Sequence, residues 1–257
     1  MRLRIDVNCD LGESYGTFKV GNDERIMPHI TSANVACGLH GGDPAVMAKT
    51  VSLARKHKVA VGAHPGFPDL FGFGRREMQL TLDEVRDCLI YQVGALQGFA
   101  KVVDTSVQHV KLHGALYNMA ARDETLSKAV ADAVKTIDKN LIVFALPQSA
   151  LARVADKVGL RVAFEFFADR AYNPDGSLVS RAHPKSIFQD PRKVVERAIK
   201  VVKEQEVSAV NGEAIRVSSV HTICVHGDTP AAVKLAEALQ KGLTKAGVKL
   251  ASVGSFL

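Results

Sequence analysis

Ionisable and amide side chains recur at two-residue intervals in several short runs of this 257-residue sequence. Asp6, Asn8 and Asp10 alternate with Ile5, Val7, Cys9 and Leu11. His109, Lys111 and His113 alternate with Val110 and Leu112. Glu165 and Asp169 fall on the parity opposite Phe164 and Phe166, and His226 and Asp228 follow Thr222 and Cys224. Successive side chains of an extended segment point to opposite faces, so each run has one apolar face and one chemically active face. Two further apolar runs lead to Asn34 with His40, and to His64. One polar residue inside a strand is an ordinary packing detail; six runs ending in ionisable groups of matching parity point to an active site. Carboxylates near imidazoles can move protons. The Lys111 ammonium is costly at the inner end of a strand unless paired or used, which makes Asp6 or Asp10 its expected partner.

Other candidates carry plainer readings. Cys37 could serve as a nucleophile with His40 as base, but it lies on the opposite parity, and a buried core thiol is the simpler expectation. Asp43 is expected to cap a helix, whereas Asp228 stays open between cap and site. His29 and His57 read as surface residues, and His183 is uninformative. Gly41-Gly42, just before a helix start, could offer backbone N–H donors to an anion or oxyanion. Phosphate-loop, dinucleotide-fingerprint, H-E-x-x-H and G-x-S-x-G motifs are all missing from the sequence.

The elements that position these groups alternate in type. Strands are expected at 2–8, 33–37, 59–63, 107–112, 141–145, 162–166 and 222–225, with a weaker eighth at 249–253. Helical spacing covers 44–57, 82–103, 124–138, 149–158, 191–204 and 230–246. Asp43-Pro44, Asp190-Pro191 and Thr229-Pro230 each set a capping side chain before a proline, and Thr81 with Glu84 forms a capping box. Strand–helix alternation implies an α/β fold with a parallel sheet, either a closed barrel or an open doubly wound sheet, as one domain spanning 1–257. In a barrel the polar strand ends would surround the catalytic mouth. Two connections are long, 64–76 and 168–190; the second holds Arg170, Arg181 and a turn at 173–176, and both suit substrate clamps or lids.

Composition narrows the partners. Lys and Arg number 33 against 27 acids, a net charge of +6, yet the basic residues are scattered and aromatics are only 6%, which argues against a nucleic-acid platform. Four widely spaced cysteines read as free thiols. No apolar stretch is long enough to span a membrane, and the acid at position 6 interrupts any signal-peptide core, so a cytoplasmic protein is expected.

Six ordered segments resemble a known family. They are Asp6-Val-Asn-Cys-Asp-Leu-Gly-Glu13, Ser32-Ala-Asn-Val-Ala-Cys-Gly-Leu-His-Gly-Gly-Asp-Pro44 and Gly62-Ala-His-Pro-Gly-Phe-Pro-Asp69, followed by Val110-Lys-Leu-His-Gly-Ala-Leu-Tyr117, Glu165-Phe-Phe-Ala-Asp-Arg-Ala-Tyr172 and Val225-His-Gly-Asp228. They are similar to the LamB/YcsF (lactam-utilisation) family over the whole length. The resemblance implies a seven-stranded (β/α) TIM-like barrel of the glycoside hydrolase/deacetylase type. It also implies the role of the A subunit in ATP-dependent 5-oxoprolinase, which opens the 5-oxoproline ring to L-glutamate with ATP hydrolysis and needs subunits B and C. On that reading Asp10 or Glu13, with His64 or His113, is the general base. Lys111 steadies an oxyanion, and Arg170, with Arg181 a further candidate, holds the substrate carboxylate. Asp6, Asn8, Asn34, His40, Glu165 and His226 complete the binding surface. The alternative is a stand-alone metal-dependent amidohydrolase or deacetylase, with Asp10, His40, His64 and His226 as candidate ligands for a divalent metal. A non-enzymatic lactam sensor would leave the carboxylate–histidine–lysine cluster unexplained.

Overall fold

The structure is a computed structural model, and it describes residues 3–217 and 219–257. Arg2, the expected start of the first strand, lies outside them. The described residues form the strands β1 (Arg4–Leu11), β2 (Ser32–Ala36), β3 (Ala60–His64), β4 (Val107–Lys111), β5 (Ile142–Ala145), β6 (Arg161–Phe167), β7 (Glu206–Ser208), β8 (Ala214–Arg216), β9 (Thr222–His226) and β10 (Lys249–Leu250). The helices are α1 (Asp23–Ile26), α2 (Pro44–His57), α3 (Leu82–Val102), α4 (Gly114–Arg122), α5 (Glu124–Ile137), α6 (Ala150–Lys157), α7 (Pro191–Glu204) and α8 (Ala232–Lys245).

Strands β1 to β6 pair in parallel, each with the next, and β9 pairs with both β6 and β1. Seven strands therefore close into the expected barrel rather than an open sheet. Closure places Asp6, Asn8 and Asp10 of β1 beside Thr222, Cys224 and His226 of β9. On the outer faces Ile5, Val7, Cys9, Val61, Val110, Ile223 and Val225 are buried under the helices. Each such aliphatic side chain contributes roughly 1.5–3 kcal/mol by leaving water. The N-terminal end of the barrel is closed by apolar contact. Ile142, Phe144 and Ala163 cluster with Val253, and Phe256 and Leu257 pack against them.

Local signals set most helix starts. Asp43 accepts from the Ala45 and Val46 N–H groups, Asp190 caps α7 ahead of Pro191, and Thr81 with Glu84 completes both halves of its capping box. The third proline-led start departs from expectation. Helix α8 begins at Ala232, where Ala231 holds the cap position and the Thr229 backbone carbonyl, not its hydroxyl, accepts from the Ala232 N–H. Three more features differ from the sequence reading. Helix α4 begins directly after His113, where Gly114 turns the chain at φ 57°. A small antiparallel hairpin, β7–β8, precedes β9. The expected eighth strand shrinks to the two residues of β10, which pair with the start of β1 outside the ring. Among the described residues, no helix is long and apolar enough to cross a membrane.

Candidate functional site

The C-terminal ends of the strands surround a cavity of about 800 Å3, and its floor is a buried polar network. Strand β4 carries Lys111 into the centre. Its Nζ donates to Asp10 Oδ1 at 2.7 Å, to Cys224 Sγ at 3.0 Å and to Asn8 Oδ1 at 3.3 Å, with Glu165 Oε1 at 3.1 Å. Asp10 is thus the partner, while Asp6 lies one layer deeper and accepts from the hydroxyls of Thr31, Ser32 and Thr222. Asn8 Nδ2 donates to Glu165 Oε1 at 3.0 Å, and Asn34 Nδ2 donates to Asn8 Oδ1 and Asp10 Oδ1 at 2.7 and 2.8 Å. Tyr117, from α4, donates to Glu165 Oε2 at 2.9 Å. His109 Nε2 lies 2.7 Å from Asn34 Oδ1, and its ring stacks on Phe144.

Charge pairing decides the protonation states here. Burial opposes the Lys111 charge most strongly, yet Asp10, Cys224 and Glu165 together hold its pKa well above the usual value. Burial also opposes the Asp10 charge, but His64 and Lys111 outweigh it and keep that carboxyl well below its usual range. Glu13 goes the other way. Burial first, then the charges of Asp10 and Asp228, push its carboxyl well above normal.

Three histidines gather beside Asp10. His64 Nδ1 bonds the Lys111 carbonyl at 2.8 Å, and His64 Nε2 lies 3.4 Å from Asp10 Oδ2 and 2.9 Å from His113 Nδ1. His113 Nε2 in turn bonds the Phe73 carbonyl at 2.8 Å. The His40 ring stacks on His113 with centroids 3.7 Å apart. Its Nε2 lies 3.7 Å from Glu13 Oε1, an atom also 3.5 Å from His113 Nδ1. Burial, then neighbouring rings, hold His40 and His113 well below the ordinary imidazole pKa.

Both long connections wall the cavity. Arg75 contributes from the first and pairs with Asp228; Arg170, Asn173, Leu178, Val179 and Arg181 contribute from the second. Phe73 and Gly74 of the first connection accept hydrogen bonds from His113 Nε2 and the Ala115 N–H, fastening this wall to the start of α4. Arg170 is buried, and its guanidinium donates to the Val179 and Ser186 carbonyls, so it braces its own wall. Arg181 lines the cavity without a side-chain hydrogen bond among the described residues. His226 Nδ1 is held by Asp169 at 2.9 Å, with its ring at the cavity edge.

The proposed ligands Asp10, His40, His64 and His226 do not form one group. His40 and His64 converge with Glu13 and His113; Asp10 and His226 converge with Cys224, where the Lys111 ammonium already provides the positive charge. Cys37 is a core thiol that donates to the Val35 carbonyl, and burial pushes it up to about 12. Gly42 is turned away from any anion role, because its N–H donates to the Ser14 carbonyl and the cavity lining includes neither Gly41 nor Gly42. Cys224 and Tyr117 are part of the network although sequence reasoning assigns them no role, whereas Asp169, placed on the polar parity of its run, holds His226. Cys224 shares the inward parity of Thr222 and His226, which was the available signal; for Tyr117 the signal would have been the unrecognised α4.

The arrangement offers an acid–base pair (Asp10 and His64), a fixed cation (Lys111) and a cationic rim on an enclosed polar floor. Such a site can activate a water and stabilise charge at a carbonyl carbon. The sequence pattern of the LamB/YcsF family matches residues 5–257. The 5-oxoprolinase A subunit from Pyrococcus horikoshii is 51% identical over 255 residues, covering 99% of this chain and 100% of that protein. The crystal structure of a lactam utilization protein from Thermus thermophilus superposes with a TM-score of 0.92 at 45% identity, over 97% of this chain and 99% of that one. At 10% identity and a TM-score of 0.51, the catalytic domain of a peptidoglycan N-acetylglucosamine deacetylase from Eubacterium rectale shares the fold, over 98% of this chain and 88% of its own. With the family pattern running nearly from end to end and half of all residues shared with its relatives, this chain belongs to the LamB/YcsF family.

Proposed function

We propose that this chain is the A subunit of an ATP-dependent 5-oxoprolinase, a hydrolase of a cyclic amide, and that it contributes the ring-opening site. The observation that supports this most is the Asp10–His64–Lys111 cluster on the cavity floor of a barrel whose half-identical relatives are named as the A subunit of 5-oxoprolinase. A lactam carbonyl is a poor electrophile because the ring nitrogen shares its lone pair. Transfer of the ATP γ-phosphoryl group to the lactam oxygen, releasing ADP, removes that protection. A first water then adds to the carbonyl carbon, giving its proton to the Asp10–His64 pair, and the C–N bond breaks as the nitrogen gains a proton. The product is a glutamyl γ-phosphate, which a second water converts to L-glutamate and phosphate. Lys111 holds Asp10 in place and offsets negative charge on the intermediate. Arg181, rather than the wall-bracing Arg170, is the guanidinium available to the substrate carboxylate. The missing phosphate loop fits a division of labour in which partner subunits B and C handle most of the nucleotide.

The test is glutamate release from 5-oxoproline and ATP by this chain, by B and C, and by all three mixed. Glutamate from the mixture alone is the expected outcome. Silence with this chain, in B and C preparations that work with another family member in the A role, rejects the reading. In the working mixture Asp10→Asn keeps the volume and leaves Lys111 paired with Glu165. It should lower turnover by about 10²–10⁴-fold, the usual worth of a positioned general base. Unchanged turnover removes Asp10 from that role.

A further inference from the structure

The histidine cluster beside Asp10 carries a conflict that its own hydrogen bonds expose. A carbonyl oxygen only accepts, so His64 Nδ1 carries a hydrogen for the Lys111 carbonyl, and His113 Nε2 carries one for the Phe73 carbonyl. In neutral rings the remaining nitrogens, His64 Nε2 and His113 Nδ1, are then both bare lone pairs. They face each other at 2.9 Å. Two lone pairs at that separation repel unless something positive lies between them. His40 adds a second, independent anomaly. Its ring is fully buried, and neither nitrogen has a hydrogen-bond partner among the described residues. A buried polar atom without a partner costs about 1–3 kcal/mol. A proton shared by His64 and His113 would resolve the first conflict and leave the second.

We propose that Glu13, His40, His64 and His113 form a binding site for one divalent transition-metal cation of the Zn2+ or Co2+ class. One oxygen and three imidazole nitrogens are a set that such ions favour. Metal–ligand bonds of about 2.0–2.1 Å in a tetrahedron put ligand atoms about 3.3 Å apart. The separations here are 2.9 Å for His64 to His113, 3.5 Å for Glu13 to His113 and 3.7 Å for Glu13 to His40. All four ligand atoms lie within 4.8 Å of one another. The carbonyls of Lys111 and Phe73 fix the ligating nitrogens of His64 and His113 in the manner usual for metal-bound imidazole. Glu13, His64 and His113 also line the cavity, so an ion has a route in from solvent. Asp10 Oδ2, 3.4 Å from His64 Nε2, stands beside the site. The site follows from the ring geometry and does not depend on which amide the protein opens; an ion on His64 Nε2 would occupy that lone pair and leave Asp10 as the proton acceptor of the proposed ring opening.

The test is a titration of the whole chain with Co2+ after chelator treatment, with circular dichroism confirming that the fold persists. One ion per chain, with the visible absorption of a four-coordinate site that Zn2+ displaces, is the expected result. His40→Gln and Glu13→Gln should each weaken binding by more than the roughly 10–100-fold that loss of an outer-shell partner costs. No stoichiometric binding by the wild-type chain, or full binding by both variants, overturns the site. Should either variant fail to fold, the imidazole 15N resonances of the wild-type chain decide. Zn2+-induced shifts at His40, His64 and His113 support the site, and shifts elsewhere or none at all reject it.

Discussion

Asp6 shows what burial does to a single carboxyl when no cation reaches it. It sits one layer beneath Lys111, fully enclosed, and desolvation raises its pKa from 3.8 to about 6 against the pull of the Thr222, Thr31 and Ser32 hydroxyls. Its neighbour Asp10, on the same strand face, has Lys111 and His64 within reach and moves in the opposite direction. The sign of the resulting stability effect follows directly. The folded chain binds the Asp6 proton more tightly than the unfolded chain does, so the contribution is stabilising at acid pH and is lost as pH rises through about 6. Between pH 4 and pH 7 the unfolding free energy of the wild type, relative to Asp6→Asn, should fall by roughly 2–3 kcal/mol. Urea titrations at the two pH values measure this. A difference that does not change with pH means that Asp6 stays ionised in the fold.

Strand β3 shows how one element makes room for the site. Gly62 lies beside His109 in the β3–β4 register, and a methyl group added there would overlap the His109 ring. The missing side chain lets that ring cross the barrel interior to reach Asn34 and lie flat on Phe144. Asn34 in turn positions Asp10. Gly62→Ala should therefore destabilise the barrel by about 1–3 kcal/mol through overpacking and also lower turnover, because the displaced ring disturbs Asn34. Thermal unfolding and the reconstituted assay report the two effects. An unchanged transition temperature shows that His109 can move aside without cost.

For the whole molecule the two ends of the barrel have opposite chemistry, and this separates stability from activity. Ionisable groups crowd the C-terminal end, while Val253 seals the other against Ile142, Phe144 and Ala163. Val253→Ala removes two methyl groups from a fully buried position and should cost about 1.5 kcal/mol. Turnover per folded molecule should not change, since none of the four plug residues lines the cavity. A fall in turnover at full folding would show that the plug also holds the floor residues in place.

The pattern of alternation told which face of each strand would be polar, and the capping residues told where α2, α3 and α7 begin, because both are local consequences of backbone geometry. The choice between barrel and open sheet was not local; it rests on β1 pairing with β9 more than two hundred residues away. That closure brings Asp10 to Lys111 and Cys224 and separates His226 from the other histidines. Helix α4 was hidden because His113 reads equally well as the next outlet of β4's polar face, and only the turn at Gly114 redirects the chain and sends Tyr117 to Glu165. Arg170 looked like a ligand clamp in the sequence, since nothing local reveals that folding of its loop brings the Val179 and Ser186 carbonyls to its guanidinium. The sequence by itself therefore determined which residue types face inward. Their hydrogen-bond partners, and hence their charges and chemistry, were decided by tertiary structure, because these depend on atoms that only ring closure and loop packing bring within 3 Å.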